Sequence, residues 1–183
     1  KALYEMLSTS KDLLLFVDNL CDYARFEQGK LEHAAGPFNL CDLLNETELY
    51  ARSLAGIKEI ELIVECQEVF VNSMVHTNRS LLRKLLFNLV SNAMKNTSAG
   101  TVTILSTEKI MDGMDYLEVS VADTGRGFGS DELNQLFGDI SSPQSSVGLI
   151  IARKISEILG GSLETESVAG KGSVFTAVIP NSG

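Results

Sequence analysis

The chain has 183 residues, 44% of them hydrophobic, which is ample for one core and slightly more than a mean domain needs. Its 24 acidic side chains against 15 basic ones leave a net charge of −9 that no Lys/Arg cluster offsets, which argues against a nucleic-acid partner. No apolar run is long enough to span a bilayer, no signal peptide is visible, and Cys21, Cys41 and Cys66 are odd in number and widely spaced, with no metal or redox pair among them; a reducing, cytoplasmic setting is expected.

The first predicted element is a helix. Leu13, Phe16, Val17, Leu20 and Ala24 fall on one stripe, with Asp18, Asn19 and Asp22 elsewhere, so the helix offers an apolar seam to a partner. Residues 1 to 32 read as this helical arm, 33 to 40 as a linker, and 41 to 183 as one domain. Lys1 is no natural start, and the chain is expected to be a fragment of a longer protein. Within the domain, Leu43 to Leu54 reads as a helix and Ile60 to Val64 as a strand. Thr77, just after His76, is the expected N-cap of the next helix, Ser80 to Asn96.

On that helix Leu81, Leu82, Leu85, Leu86, Leu89, Val90 and Ala93 form an apolar run, while Asn88, Asn92 and Lys95 stand at i, i+4 and i+7 and share one stripe. An amide oxygen is a hard ligand suited to Mg²⁺, and a lysine one turn on can face phosphate oxygens. The same stripe also fits an ordinary solvated face. Thr101 to Thr107 and Tyr116 to Ala122 are predicted strands paired across Asp112-Gly113. The second alternates Leu117, Val119 and Val121 with Glu118 and Ser120, and runs into Asp123-Thr124-Gly125-Arg126-Gly127. A carboxylate at a strand end can accept a hydrogen bond from an exocyclic amine such as that of adenine, and the glycines permit positive φ and close backbone approach. A plain Asp-x-Gly turn is the other reading. Gly148-Leu149 opens a helix that ends at Gly160-Gly161, its N-terminus offering N–H groups to phosphate. Ser162 to Ser167 and Ser173 to Pro180 alternate as strands about a glycine turn. Such segregation predicts an α/β fold: a two-layer α/β sandwich, helices on one face of a mixed sheet, preceded by the long N-terminal helix.

Taken in order, Asn88-Leu89-Val90-Ser91-Asn92-Ala93-Met94-Lys95, Asp123-Thr124-Gly125-Arg126-Gly127, Gly148-Leu149 and Gly170-Lys171-Gly172-Ser173 resemble the N box, the two glycine boxes and the terminal strand of the ATP-binding domain of sensor histidine kinases. That family shares its fold with gyrase, mismatch-repair ATPases and a heat-shock chaperone. Tyr23 to Glu32, followed by Pro37-Phe38-Asn39-Leu40, resembles the second helix of the family's dimerisation hairpin with its exit linker.

The resemblance implies ATP and Mg²⁺ as cofactors. Asn88 would hold metal or orient water, Asn92 would ligate Mg²⁺ and Lys95 would steady phosphates, Asn88 and Lys95 being the catalytic pair. Asp123 would bind adenine, Gly125, Gly127, Gly148 and Leu149 would line the nucleotide, and Ser173 would reach the adenine through water. It also implies a homodimer, a response regulator receiver domain as partner, and a γ-phosphoryl group delivered to a histidine outside this chain; a membrane anchor would lie elsewhere in the protein. Neither His33 nor His76 has the setting of the family's acceptor histidine. Four features depart from the pattern: Asn96 stands where an aromatic side chain stacks on adenine, Ile140 where a second phenylalanine is usual, Ser146 replaces a glycine, and only ten residues separate Phe137 from Gly148, a short lid. These support a second expectation, a degenerate domain that signals through dimerisation or contact.

Overall fold

The computed structural model describes residues 35–70, 74–138 and 146–181, together with Leu14, Val17, Asp18, Cys21 and Ala24. Those five isolated positions are helical and exposed. Val17 and Ala24 of the expected stripe are among them, whereas Leu13, Phe16, Leu20 and His33 lie outside the described residues.

Residues 36–40, read as linker, are structured parts of the fold. β1 (Gly36–Phe38) pairs antiparallel with β3 (Val75–Thr77), and α1 (Leu40–Ala55) starts at once, capped by Asn39, whose side chain accepts the Asp42 N–H at 3.3 Å. A turn at Gly56 leads into β2 (Glu59–Cys66), which runs back along α1. The helix is about 24 Å long and the strand about 26 Å, so the first turn of α1 returns to the last residue of β2. This packing brings Cys41 and Cys66 together, with Sγ atoms 2.7 Å apart. The wide spacing from which no metal or redox pair is expected thus leaves two free thiols in contact, because the 25 residues between them conceal a helix–strand hairpin.

A 3₁₀ turn (Glu68–Phe70) and β3 lead to α2 (Arg79–Asn96). Its N-cap is Asn78, whose Oδ1 accepts the Leu81 N–H at 3.0 Å, and not Thr77, which is held in β3 opposite Gly36. β4 (Ala99–Met111) and β5 (Met114–Asp123) form a hairpin longer than expected but with the expected turn: Asp112 and Gly113 both have positive φ, 52° and 78°, as a tight two-residue connection requires. After a short α3 (Ser130–Leu136) come α4 (Val147–Ile158), β6 (Ser162–Val168) and β7 (Gly172–Pro180). Gly160, at φ 79°, ends α4: its N–H bonds Glu157 O and that of Gly161 bonds Ser156 O.

The main sheet has the order β2-β4-β5-β7-β6, parallel between β2 and β4 and antiparallel elsewhere, with α2 making the crossover that a parallel pair needs. Val102 and Ile104, Leu117, Val119 and Val121, and Phe175, Ala177 and Ile179 are all fully buried on one face, under Leu43, Leu85, Leu89, Leu149 and Ile155 of the helices. The alternate residues Thr103, Glu118, Ser120 and Thr176 are only partly covered. Helices therefore occupy one face of a mixed five-stranded sheet, as expected. The same alternation carries Asp123, two residues past Val121, onto the helix-facing side, with Ser173 of β7 directly opposite.

Candidate functional site

Asp123 is a carboxylate placed in the core layer. It is 5% exposed; Oδ1 accepts the Gly125 N–H at 2.9 Å, while Oδ2 is buried without a hydrogen-bond partner. Burial raises its pKa above the ordinary carboxylate value, and the backbone N–H groups of Gly125 and Ser173 pull it partly back. A buried acceptor oxygen left unpaired costs about 1–3 kcal/mol, so this atom is poised for a donor.

The stripe of α2 meets this carboxylate through the end of the helix. Asn88 is buried, its Nδ2 bonded to Lys84 O at 2.9 Å; Asn92 is half-buried; Lys95 is exposed. One helix face therefore passes from core to solvent over two turns. Asn96 lies on the same side, and its Nδ2 donates to Asn92 O at 2.9 Å and to Asn92 Oδ1 at 3.1 Å. Its own Oδ1 accepts from Arg126 Nε at 3.2 Å, and its backbone oxygen accepts the Arg126 N–H at 3.3 Å. Arg126 in turn pairs with Glu132 of α3 at 2.6 Å and lies over the ring of buried Phe128. The side chain that replaces the expected aromatic ring thus ties Asn92 to the Asp123 loop. Asn92 Nδ2 and Thr97 Oγ1 are further buried polar atoms without a hydrogen-bond partner beside this junction.

The glycines are required by contact. A Cβ on Gly125 would run into the carbonyl of Asn96, and one on Gly127 (φ 59°) into that of Val168. Gly172 (φ 106°) faces the carbonyl of Asp123 in the same way. The β6–β7 hairpin is thereby clamped on the loop, with Gly170 N–H donating to Arg126 O at 2.6 Å and Phe128 N–H to Ser167 Oγ at 2.8 Å. Ser173, buried, shares a 3.0 Å hydrogen bond with Ser167. The sequence reading missed Ser167, Asn96 as a bridge, and Arg126. Only Arg126, lying inside a quoted motif, carried any local signal.

Gly148 and Leu149 sit at the start of α4, which packs against α2. Leu149 is fully buried in the core, so only its backbone is left to meet a ligand. The first i→i−4 bond runs from Ile150 N–H to Ser146 O, leaving the N–H groups of Val147, Gly148 and Leu149 ahead of the ladder. Ser146 has φ −100°, extended backbone open to any residue, so serine in place of glycine imposes no strain there. Ile140 and most of the expected lid fall outside the described residues.

For a divalent cation the donor set is lean. Among the described residues no three His, Cys, Asp or Glu side chains cluster. The residues fit Mg²⁺ held by one amide oxygen, Asn92 Oδ1, with water and phosphate oxygens completing the shell, the manner in which Mg²⁺ is commonly bound.

The family model described as histidine kinase-, DNA gyrase B-, and HSP90-like ATPase matches residues 77–183. The autoinducer 2 sensor kinase/phosphatase LuxQ of Vibrio parahaemolyticus is 30% identical over 183 residues, covering 94% of this chain and 21% of LuxQ. The sensor protein GacS of Pseudomonas syringae is 32% identical over 185 residues, covering 91% of this chain and 19% of GacS. The chain spans about a fifth of the length of these curated relatives. Full-length ShkA, solved in complex with AMPPNP, matches 96% of this chain and 37% of its own at 26% identity, with a TM-score of 0.74. An asparagine-bearing helix joined to a buried strand-end aspartate, on this sheet and with this match, places the chain in the histidine kinase-, gyrase- and HSP90-like ATPase family, as a homologue of the histidine kinases.

Proposed function

We propose that this chain is the catalytic part of a two-component sensor histidine kinase, which binds Mg·ATP and hands the γ-phosphoryl group to a histidine outside it. The observation that carries the reading is the buried, unpaired Oδ2 of Asp123 beside Gly125, an acceptor suited to an adenine amine. The AMPPNP bound in ShkA supports the same ligand class here. In this reading Asn92 gives its amide oxygen to Mg²⁺, which neutralises phosphate charge when bound. Asn88 orients water or metal from the buried end of the stripe, and Lys95 steadies phosphates from the exposed end. Gly125, Gly127, Gly148 and the Leu149 backbone line the nucleotide, and Ser173 reaches the base through water. Residues 1–32 serve as the second helix of a dimerising hairpin and 33–40 as its exit, in the cytosolic part of a longer protein whose partner is a receiver domain.

One observation favours a second reading, a degenerate domain that signals by contact. Asn96 Nδ2 already occupies Asn92 Oδ1, and Asn96 offers no ring to stack on a base. Calorimetric titration separates the two. Wild type should bind Mg·ATP, and Asn92→Ala should lose much of that affinity while keeping adenosine, which carries no phosphate. No heat with either ligand would establish the degenerate reading. Equal loss of both ligands would make Asn92 a support for the helix only.

A further inference from the structure

The pair formed by Cys41 and Cys66 lies in none of the motifs above. Cys41 is the second residue of α1 and Cys66 the last of β2, an edge strand, so their contact joins two elements that the intervening turn leaves tied only by packing. Their sulfurs, 2.7 Å apart, need to approach by only about 0.7 Å to reach the length of a disulfide bond. Both side chains are half-buried against the rim of the core, so neither is sealed from solvent, and Cys41 Sγ also lies 3.7 Å from the Phe70 carbonyl. Cys21, by contrast, is exposed on the arm.

We propose that Cys41 and Cys66 form a dithiol site that closes to an intramolecular disulfide on exchange with a small-molecule disulfide such as oxidised glutathione. One protein thiolate attacks a sulfur of the oxidant and expels a glutathione thiolate, giving a mixed disulfide; the second thiolate displaces the other glutathione. Two protein S–H bonds and the glutathione S–S bond are broken, one protein S–S bond and two glutathione S–H bonds are made, and the two electrons pass to glutathione. Burial and the neighbouring Cys66 push the Cys41 thiol up to about 11, so at neutral pH this thiol rests protonated and exchange through it begins slowly. The product is a staple between α1, two residues after its Asn39 cap, and the sheet edge. It stiffens the place where β1 and α1 leave the preceding segment.

The test uses the full chain carrying Cys21→Ser, incubated to equilibrium with excess oxidised glutathione. Closure should lower the intact mass by two hydrogens, block alkylation of Cys41 and Cys66 together, and link their peptides in a digest. It should also raise the melting temperature by roughly 5–10 °C, reversibly with dithiothreitol, and slow hydrogen exchange over residues 36–44. Adding Cys41→Ser or Cys66→Ser should give instead a single glutathione adduct and no rise in melting temperature. Two glutathiones retained on the Cys21→Ser chain, or two thiols still open to alkylation after equilibration, would overturn the assignment.

Discussion

A carboxylate held under a helical layer is a conflict between charge and desolvation, and Asp123 is where this fold keeps one. Its pKa is raised by burial, so the folded chain takes up its proton more readily than the unfolded chain does. The resulting stability is fully present below the ordinary carboxylate pKa and is lost as pH rises through the raised folded value. Asp123→Asn should flatten that pH dependence, which urea unfolding from mildly acidic to neutral pH measures; parallel curves for the two proteins would mean that the carboxyl is not desolvated. For the ligand the sign reverses, because a donated amine hydrogen favours the ionised form. ATP affinity should therefore climb with pH across the same range, and Asp123→Ala should cost about 1–3 kcal/mol, tenfold or more, by calorimetry. Unchanged affinity in the alanine variant would remove Asp123 from the site. Gly172 guards the other side of the same residue. With φ at 106° and the Asp123 carbonyl in the path of any Cβ, Gly172→Ala should destabilise the domain by about 1–3 kcal/mol or more in denaturant. Asp123 could be placed from sequence because strand alternation is strictly two-fold. The bridge from Asn92 through Asn96 to Arg126 could not, since it depends on how a helix end and a loop meet in space.

At the scale of elements, the end of α2 is secured from outside. Lys58, in the turn before β2, donates to Met94 O at 2.5 Å and Thr97 O at 3.0 Å, satisfying carbonyls that the helix itself leaves open and placing a cation at its negative pole. This is also the end that carries Asn92, Lys95 and Asn96. Lys58→Ala should cost about 0.3–1 kcal/mol in global stability and should speed hydrogen exchange in the last turn of α2. Exchange unchanged there would assign the fixing of that turn to the Arg126 contacts alone. Elements with long, clean periodicity were legible in advance: α2 with its leucines, the β4–β5 hairpin with its Asp112-Gly113 turn, and β7. Those that were not are short or held by partners. β1 and β3 have three residues each, too few to show a period, and each is a strand only because the other is beside it. α3 has seven residues and no side-chain cap, and leans on the Arg126–Glu132 pair.

For the whole molecule, the question is whether the arm contributes to the domain's stability. The core runs without a break from Phe38 to Ile179, and every described residue before Gly36 is exposed, Leu14 by 65% and Val17 by 47%. Apolar side chains left open in this way, as Leu14 and Val17 are, are suited to a second helix and add nothing to the buried area of the domain. Residues 35–183 alone should therefore unfold cooperatively within a few degrees of the whole chain. Val17→Asp in the whole chain should leave the melting temperature unchanged while shifting light scattering towards monomer, because a charge in the stripe opposes association and meets no core. A truncated domain that melts far below the parent, or a Val17→Asp chain that loses its cooperative transition, would show that the arm packs on the domain, and the division at residue 32 would have to be redrawn.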